Sequence, residues 1–230
     1  MSTRNSFVKG ALILTIAGVL AKVLGALYRI PFNRIVGEEG AALYGLSYSL
    51  YLILFALSTA GIPLAVSKLI AESEEKGAFS ESRRLLKIAL AIMGTVGVMT
   101  FLAVFFGSDW IAIHLFHEPR AALSLRYLAP AMFFSCMTSV FRGYFQGKQM
   151  MLPTAISQVL EQTFRVLLIF VALYTLQGKS LEIIVAGATG ASAIGALLSV
   201  CFLTMYFIRY RVNTGRINDT IVYQRKSLKK

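Results

Sequence analysis

Five basic residues, Lys22, Arg29, Arg126, Arg142 and Arg165, fall inside or at the edge of long apolar runs, and Glu161 is the acid at comparable depth. A charge at the centre of a bilayer costs about 2.5–3.5 kcal/mol on insertion scales, so such side chains face a protein interior or a watery cavity. A surplus of cations in that position suits an anionic ligand. On the first apolar run Thr15, Gly18, Lys22, Gly25 and Arg29 follow in steps of three and four, which sets them on one helix face. Ile16, Leu20, Val23 and Leu27 occupy the opposite face and suit lipid. Small residues beside Lys22 leave room for a ligand or water, while Arg29, nearer the end of the run, can equally snorkel to the interface. Farther along, Ser157, Glu161 and Arg165 share a stripe flanked by Gln158 and Gln162. The acid-first spacing of four pairs Glu161 with Arg165, either as a structural bridge or as a substrate contact. Lipid offers such a face no partners, so it points inward.

These residues define the candidate site: Lys22, Arg29, Arg142, Glu161 and Arg165 for an anionic substrate, with hinges at Gly61, Pro63 and Pro130. Tyr44, Ser47, Tyr48 and Tyr51 form an amphipathic patch on the second run, read as an interfacial anchor, with stacking on a sugar as the other reading. Other chemistries find little support. His114 and His117 are three apart, but Glu118 is the only further ligand type nearby, so no metal site is expected. Neither histidine has a nucleophile beside it, and the apolar runs hold no paired carboxylates, so no catalytic residues are assigned. Cys136 and Cys201 both lie in apolar runs and point to no disulfide framework. Gly187, Ala191 and Gly195 repeat every four residues with no strand before them. They read as a close-packing helix stripe rather than a nucleotide loop.

The elements that must carry these residues are membrane helices. The 230 residues are 57% hydrophobic and 15% charged, with a mean hydropathy of +0.68. Soluble domains carry roughly 25% charged residues. The net charge of +12 sits between apolar runs and in a basic tail, without any nucleic-acid-binding motif, so nucleic acid is not an expected partner. A span needs about 20 apolar residues, and six candidates emerge: Val8 to Tyr28, Ala42 to Ile70, Leu85 to Phe106, Leu123 to Tyr144, Pro153 to Leu176, and Ile183 to Ile208. The segments between them, including Ile30 to Gly40 and Gly107 to Ala122, read as connections. Residues 1–208 form one six-helix lobe and 209–230 a basic tail. Sixteen basic residues fall at one set of ends and five at the other, which places both termini in the cytoplasm. The second span, at roughly 30 residues and about 45 Å, is too long to be straight. Gly61-Ile62-Pro63 should break it.

Two segments of this chain, Arg29 to Gly45 (RIPFNRIVGEEGAALYG) and Ala60 to Ala71 (AGIPLAVSKLIA), with Phe141 to Gly147 (FRGYFQG), resemble bacterial polysaccharide-biosynthesis transporters of the MOP exporter superfamily. That group takes in stage V sporulation protein B and YtgP-type proteins and, more distantly, lipid II flippases. The resemblance covers most of residues 5–208. It implies an all-α integral membrane protein whose six helices form the amino-terminal lobe of a MATE/MOP-type transporter. It further implies movement of undecaprenyl-pyrophosphate-linked saccharide or peptidoglycan precursor across the bacterial cytoplasmic membrane, with cationic residues holding the pyrophosphate. Lys22 and Arg29 match that character, Arg142 and Arg165 less directly. Relative to the family the chain supplies one lobe, so the expected partners are membrane lipids, the lipid-linked substrate and a second six- to eight-helix lobe, possible on another chain. No cofactor is expected, since no nucleotide motif is present. Two other readings stay open: a cation-coupled multidrug exporter of the same superfamily, for which Glu161 is the candidate acid, and a non-transporting membrane subunit in envelope or spore assembly.

Overall fold

The computed structural model describes residues 2–59 and 61–227, all in helices and short connections. The side chain of Arg4 and those of the tail beyond Val212 lie outside the described residues. In chain order the helices are α1 (Ser2–Leu27), α2 (Arg29–Thr59), α3 (Ile62–Glu75), α4 (Phe79–Trp110), α5 (Ala121–Gly147), α6 (Met151–Thr175) and α7 (Leu181–Ser227). Helices α2 and α3 are two halves of one interrupted span, so the lobe has six crossings.

The interruption has the expected chemistry. Gly61 adopts φ 74°, a left-handed conformation that glycine takes at little cost, and Pro63 starts the next helix where a missing N–H is harmless. A second break was not anticipated. Gly37, with φ 70° and ψ −176°, splits α2 into a short opening helix and the span proper. Thus Ile30 to Gly40, read from the sequence as a connection, is helical on both sides of Gly37. The segment after the third span is likewise more ordered than expected: α4 runs on to Trp110 and continues as one π-helical turn over Ile111–Leu115. Helix α7 also continues past Ile208, through the stretch read as a tail. Pro130 sits inside an unbroken α5.

Among the described residues, five helical stretches are long and apolar enough to cross a membrane by length and composition, namely Val8–Leu27, Arg29–Glu75, Ser80–Leu115, Met151–Thr175 and Leu181–Val212. Helix α5 is the sixth crossing and the least lipophilic. It is the axis of the lobe, packed by α7, α4, α3 and α2. Its buried side includes Ser124, Ser135, Thr138 and Ser139, because a helix wrapped by protein need not present apolar groups to lipid. The chain is a multi-pass membrane protein, and the hydrophobic side chains left exposed, such as Leu57, Leu64, Phe106 and Tyr174, are those such a protein turns toward acyl chains.

Close approach to the axis depends on missing side chains. A Cβ at Gly143 would stand 2.8 Å from the Pro63 carbonyl oxygen, and one at Gly147 would stand 2.6 Å from that of Ser67 and 2.7 Å from Ile70 Cβ. These two glycines, one turn apart, seat α3 on α5. Replacing Gly147 with valine is expected to push α3 off this seat and cost about 1–3 kcal/mol, read as a lower thermal midpoint in detergent. An unchanged midpoint would show that α3 can shift without loss. At the same end Lys148 Nζ donates to Glu74 Oε1 (2.8 Å), which also accepts from Ser82 Oγ (2.7 Å), and the ammonium lies 5.5 and 5.3 Å from the Tyr144 and Tyr210 ring centroids. Burial works against the Lys148 charge, but the Glu74 hydrogen bond and the nearby tyrosines outweigh it, and its pKa is raised. The cluster ties α3, α4, α5 and α7 together.

Candidate functional site

Helices α5, α6 and α7 meet around three charges, of which Glu161 and Arg165 are buried and Arg142 half-buried. Gly195 on α7 permits the contact, since a Cβ there would stand 2.8 Å from the Glu161 carbonyl oxygen. This is the close-packing role expected of the Gly187, Ala191 and Gly195 stripe. Glu161 accepts from Arg165 Nη2 at 3.1 Å on one carboxylate oxygen and from Arg142 Nη2 at 2.9 Å on the other. Arg142 also donates to Ser157 Oγ (3.0 Å, from Nε) and Ser199 Oγ (3.3 Å), and Arg165 Nη1 donates to Tyr48 Oη (3.3 Å) and Gln162 Oε1 (3.4 Å). Glu161 is 8% and Arg165 3% exposed. One acid between two guanidiniums leaves a net charge of +1 inside the lobe. Buried ions are tolerated only when paired and hydrogen-bonded in this way. Arg165 Nε is nevertheless a buried donor without a partner.

The pairing of Glu161 with Arg165 follows the four-residue spacing. Arg142, a candidate for the same site, reaches across from α5 into the same carboxylate, a pairing that its position at the end of an apolar run does not reveal. A half-open cavity of about 240 Å³ adjoins this triad, lined by Arg142, Glu161, Gln158, Gln146, Thr138 and Pro63 among others. Gln158 Oε1 and Thr138 Oγ1 are buried there without hydrogen-bond partners. Pro63 at its wall brings the α2–α3 break to the edge of the charged interior, while Pro130 lines none of it.

Lys22 on α1 and Arg29, the first residue of α2, stand apart from the triad, and because α1 ends at Leu27 the face shared by Thr15, Gly18, Lys22 and Gly25 does not extend to Arg29. Lys22 and Arg29 are exposed, and among the described residues neither makes an ion pair. Helix α1 packs chiefly on α6. Gly25, on the face of Lys22, looks onto α6, where a Cβ would lie 3.8 Å from Gln162 Oε1. Since Gln162 accepts from Arg165, the Lys22 face borders the polar stripe of α6 without entering it. Lys22 lines neither of the polar cavities, whereas Arg29 lines the second, a space of about 310 Å³ with Tyr28, Asn33, Tyr44, Tyr48 and Ser49. On the other face of α1, Ile16, Leu20, Val23 and Leu27 are exposed, and Ile16 and Leu20 line an apolar groove against Ile156, Val159, Leu160 and Phe164 of α6.

Two expectations are corrected here. Arg126 does not join the interior cations. It forms an ion pair with Asp109 and donates to Ser108 Oγ at 2.9 Å, because α5 begins beside the end of α4. The tyrosine patch is not an interfacial anchor. Tyr44 and Tyr51 are 5% and 4% exposed and Ser47 is buried. Tyr44 Oη meets Tyr28 Oη at 2.9 Å, Tyr51 Oη meets Ser135 Oγ at 2.9 Å, and the rings of Tyr44, Tyr48, Tyr51 and Phe55 succeed one another at 5.6–5.8 Å along α2. The ladder runs from one polar cavity to the other. The Tyr44 and Tyr51 hydroxyls on this inward face have partners that lipid would not supply, whereas Ser47 Oγ is buried without one. In the α4–α5 connection Arg120 bridges Glu118 and Glu39, and its hydrogen bond holds the Glu118 carboxyl below the usual range. His114 stacks on Trp110, with ring centroids 5.1 Å apart, and no group of three metal-ligating side chains occurs among the described residues.

Comparison with known proteins gives a consistent picture. A family model described as "Polysaccharide biosynthesis protein" matches residues 7–229. The chain is 34% identical over 204 residues to stage V sporulation protein B of Bacillus subtilis, covering 89% of this chain and 39% of that protein. It is 33% identical over 214 residues to the lipid II flippase MurJ of the same organism, covering 88% and 39%. The chain therefore spans about two-fifths of the length of these relatives. Among solved structures it superposes on an outward-facing multidrug resistance MATE family transporter of the MOP superfamily with a TM-score of 0.74 at 19% identity, covering 88% of this chain and 45% of that one. A MOP superfamily transporter from Pyrococcus furiosus, whose binding pocket is described as having reverse polarity, gives 0.72 at 18%, covering 86% and 44%. The fold is that of one six-helix lobe of a MATE/MOP-type transporter.

Proposed function

The chain belongs to the polysaccharide biosynthesis protein family of the MOP exporter superfamily, and we propose that it forms one lobe of a flippase for an undecaprenyl-pyrophosphate-linked saccharide or peptidoglycan precursor. The observation that carries this reading is the sign of the interior. The triad holds a net positive charge, and Lys22 and Arg29 stand exposed with no ion pair among the described residues. A diphosphate is the complementary ligand, since guanidinium and ammonium groups bind phosphate oxygens through short, charge-assisted hydrogen bonds. In this reading the lipid enters beside α1 and α2, with its diphosphate held by Lys22 and Arg29 and the Arg142–Glu161–Arg165 network behind them. Rocking of this lobe against a second lobe would then expose the head group on the far side. Gly61 and Pro63 are the hinge of that motion, and Pro130 on the axis is the second candidate. The excess of basic residues at one end supports an orientation with both termini in the cytoplasm, in the bacterial cytoplasmic membrane.

The multidrug-exporter reading loses its main support. Glu161, the acid that would take a proton or sodium ion, has both carboxylate oxygens engaged by arginines. Production of this lobe together with a second lobe in cells depleted of their lipid-linked saccharide flippase tests the proposal. Restored growth and outer-leaflet appearance of a labelled lipid-linked saccharide are expected, without efflux of cationic dyes. Dye efflux with no restoration would overturn it in favour of an exporter, and neither activity would favour a non-transporting subunit.

A further inference from the structure

The cavity of about 310 Å³ beside Arg29 is floored by helix α2 at Gly45. Glycine weakens a helix interior relative to alanine, so one there needs a reason. Neither of the usual reasons applies to Gly45. Its φ is not among the positive values, and a Cβ built on it would meet nothing within 4 Å. Gly143, Gly147 and Gly195, by contrast, are each pressed against a neighbouring backbone. The space above Gly45 is therefore kept open by the sequence but not filled by the lobe.

Its walls are of two kinds. Tyr28, Phe32, Tyr44 and Tyr48 supply ring edges and phenol oxygens, and Asn33 and Ser49 supply an amide and a hydroxyl. The aromatic wall is rigid, because Tyr28 and Tyr44 are joined through their hydroxyls and Tyr44 stacks on Tyr48, which is held in turn by Arg165. A pyranose has the matching character: apolar C–H faces and a rim of hydroxyls that both donate and accept. Asn33 and Ser49 lie on the exposed side of the cavity, and an acyl chain would displace water from them without replacing its hydrogen bonds, which loses affinity. At about 310 Å³ the space lies at the small end of ligand pockets.

We propose that this cavity is the glycosyl subsite, holding the sugar next to the diphosphate while Arg29 at its rim contacts the adjoining phosphate. This rests on the flippase reading, from which the sugar's attachment to a diphosphate comes. The subsite makes specificity for the first sugar a property of α2, separate from the charge that binds any polyprenyl diphosphate.

The test compares two probes, undecaprenyl pyrophosphate and undecaprenyl-pyrophosphoryl-N-acetylglucosamine, binding to the detergent-solubilised chain by native mass spectrometry. Wild type is expected to favour the sugar-bearing probe by at least about tenfold. Gly45→Leu should remove that preference, leave the affinity for undecaprenyl pyrophosphate unchanged, and show no lower thermal midpoint. Should that variant fold poorly, Asn33→Ala provides the same readout without filling the cavity, and loss of the sugar preference is again expected. Equal binding of both probes by wild type, or a preference that survives in the variants, would overturn the subsite and leave the flippase reading standing. Failure of wild type to bind either probe would remove both.

Discussion

Replacing Glu161 with alanine is expected to destabilise the lobe by about 3–5 kcal/mol, the usual cost of removing one member of a buried ion pair. Both carboxylate oxygens are in use, so the substitution strands two guanidiniums rather than one. Arg165 has the poorer alternatives. Its remaining bonds, to Tyr48 and Gln162, are 3.3 and 3.4 Å long, and its Nε already lacks a partner. Arg142 keeps Ser157 and Ser199 and borders the cavity, where water can reach it. Thermal unfolding in detergent reads the effect, and Glu161→Gln, which keeps the shape and one acceptor, should recover part of it. An unchanged midpoint for the alanine variant would show that Arg165 too is hydrated in the folded state, and the idea that the Glu161–Arg165 pair is shut off from water would fail.

The same physics argues that the triad serves something other than stability. Buried ionic clusters are often replaced by apolar groups of similar volume with no loss, or with a gain of about 1–4 kcal/mol. A lobe held together only by packing would do well with methionine and leucine at these three positions. Two arginines around one acid instead leave a standing positive charge that an apolar core cannot supply.

How far the sequence revealed this site depended on the range of each signal. Periodicity within one helix was readable for the Ser157–Glu161–Arg165 and Gly187–Ala191–Gly195 stripes, which have the predicted neighbours, whereas Lys22, expected to look into a cavity, is exposed and lines neither polar one. Gly61 and Pro63 announced the α2–α3 break because each acts through its own backbone. Gly37 went unread, since a lone glycine outside an apolar run looks like any turn. Relations between helices were hidden. Arg142 lies near the end of an apolar run, where a cation usually sets topology, and nothing in its neighbours marks Glu161, 19 residues away, as its partner. Arg126 was misread for the mirror-image reason: Asp109, its partner, lies beyond the turn before α5. The tyrosines of α2 show how weak composition is as a guide to facing. Their spacing fits a lipid interface and an inward ladder equally, and only the position of α5 and α6 decides. One further signal was available: Gly143 and Gly147 repeat the spacing of the α7 stripe, and that repeat marks the seat of α3.

Removal of the Lys22 and Arg29 charges should leave the fold intact and weaken ligand binding. Lys22 and Arg29 are exposed, unpaired among the described residues, and make no contact that the lobe's packing needs, so Lys22→Ala and Arg29→Ala should unfold at the wild-type temperature. Each is expected to weaken binding of undecaprenyl pyrophosphate by about tenfold, since a hydrogen bond to a charged group contributes roughly 1.5–3 kcal/mol and tenfold corresponds to about 1.4 kcal/mol. Raising ionic strength should weaken wild type more than the double variant, because screening acts on accessible charges. Lys22→Arg should bind near the wild-type level, and Leu20→Ala, on the other face of α1, should leave binding unchanged. The competing account has Lys22 stretched toward lipid head groups as an anchor. On that account the alanine variant binds the diphosphate as wild type does, and the result would leave Arg29 and the triad as the sole basis for anion binding. Affinity measured beside thermal stability separates the two, because the Glu161 variant should fail in stability and the Lys22 variant in binding alone.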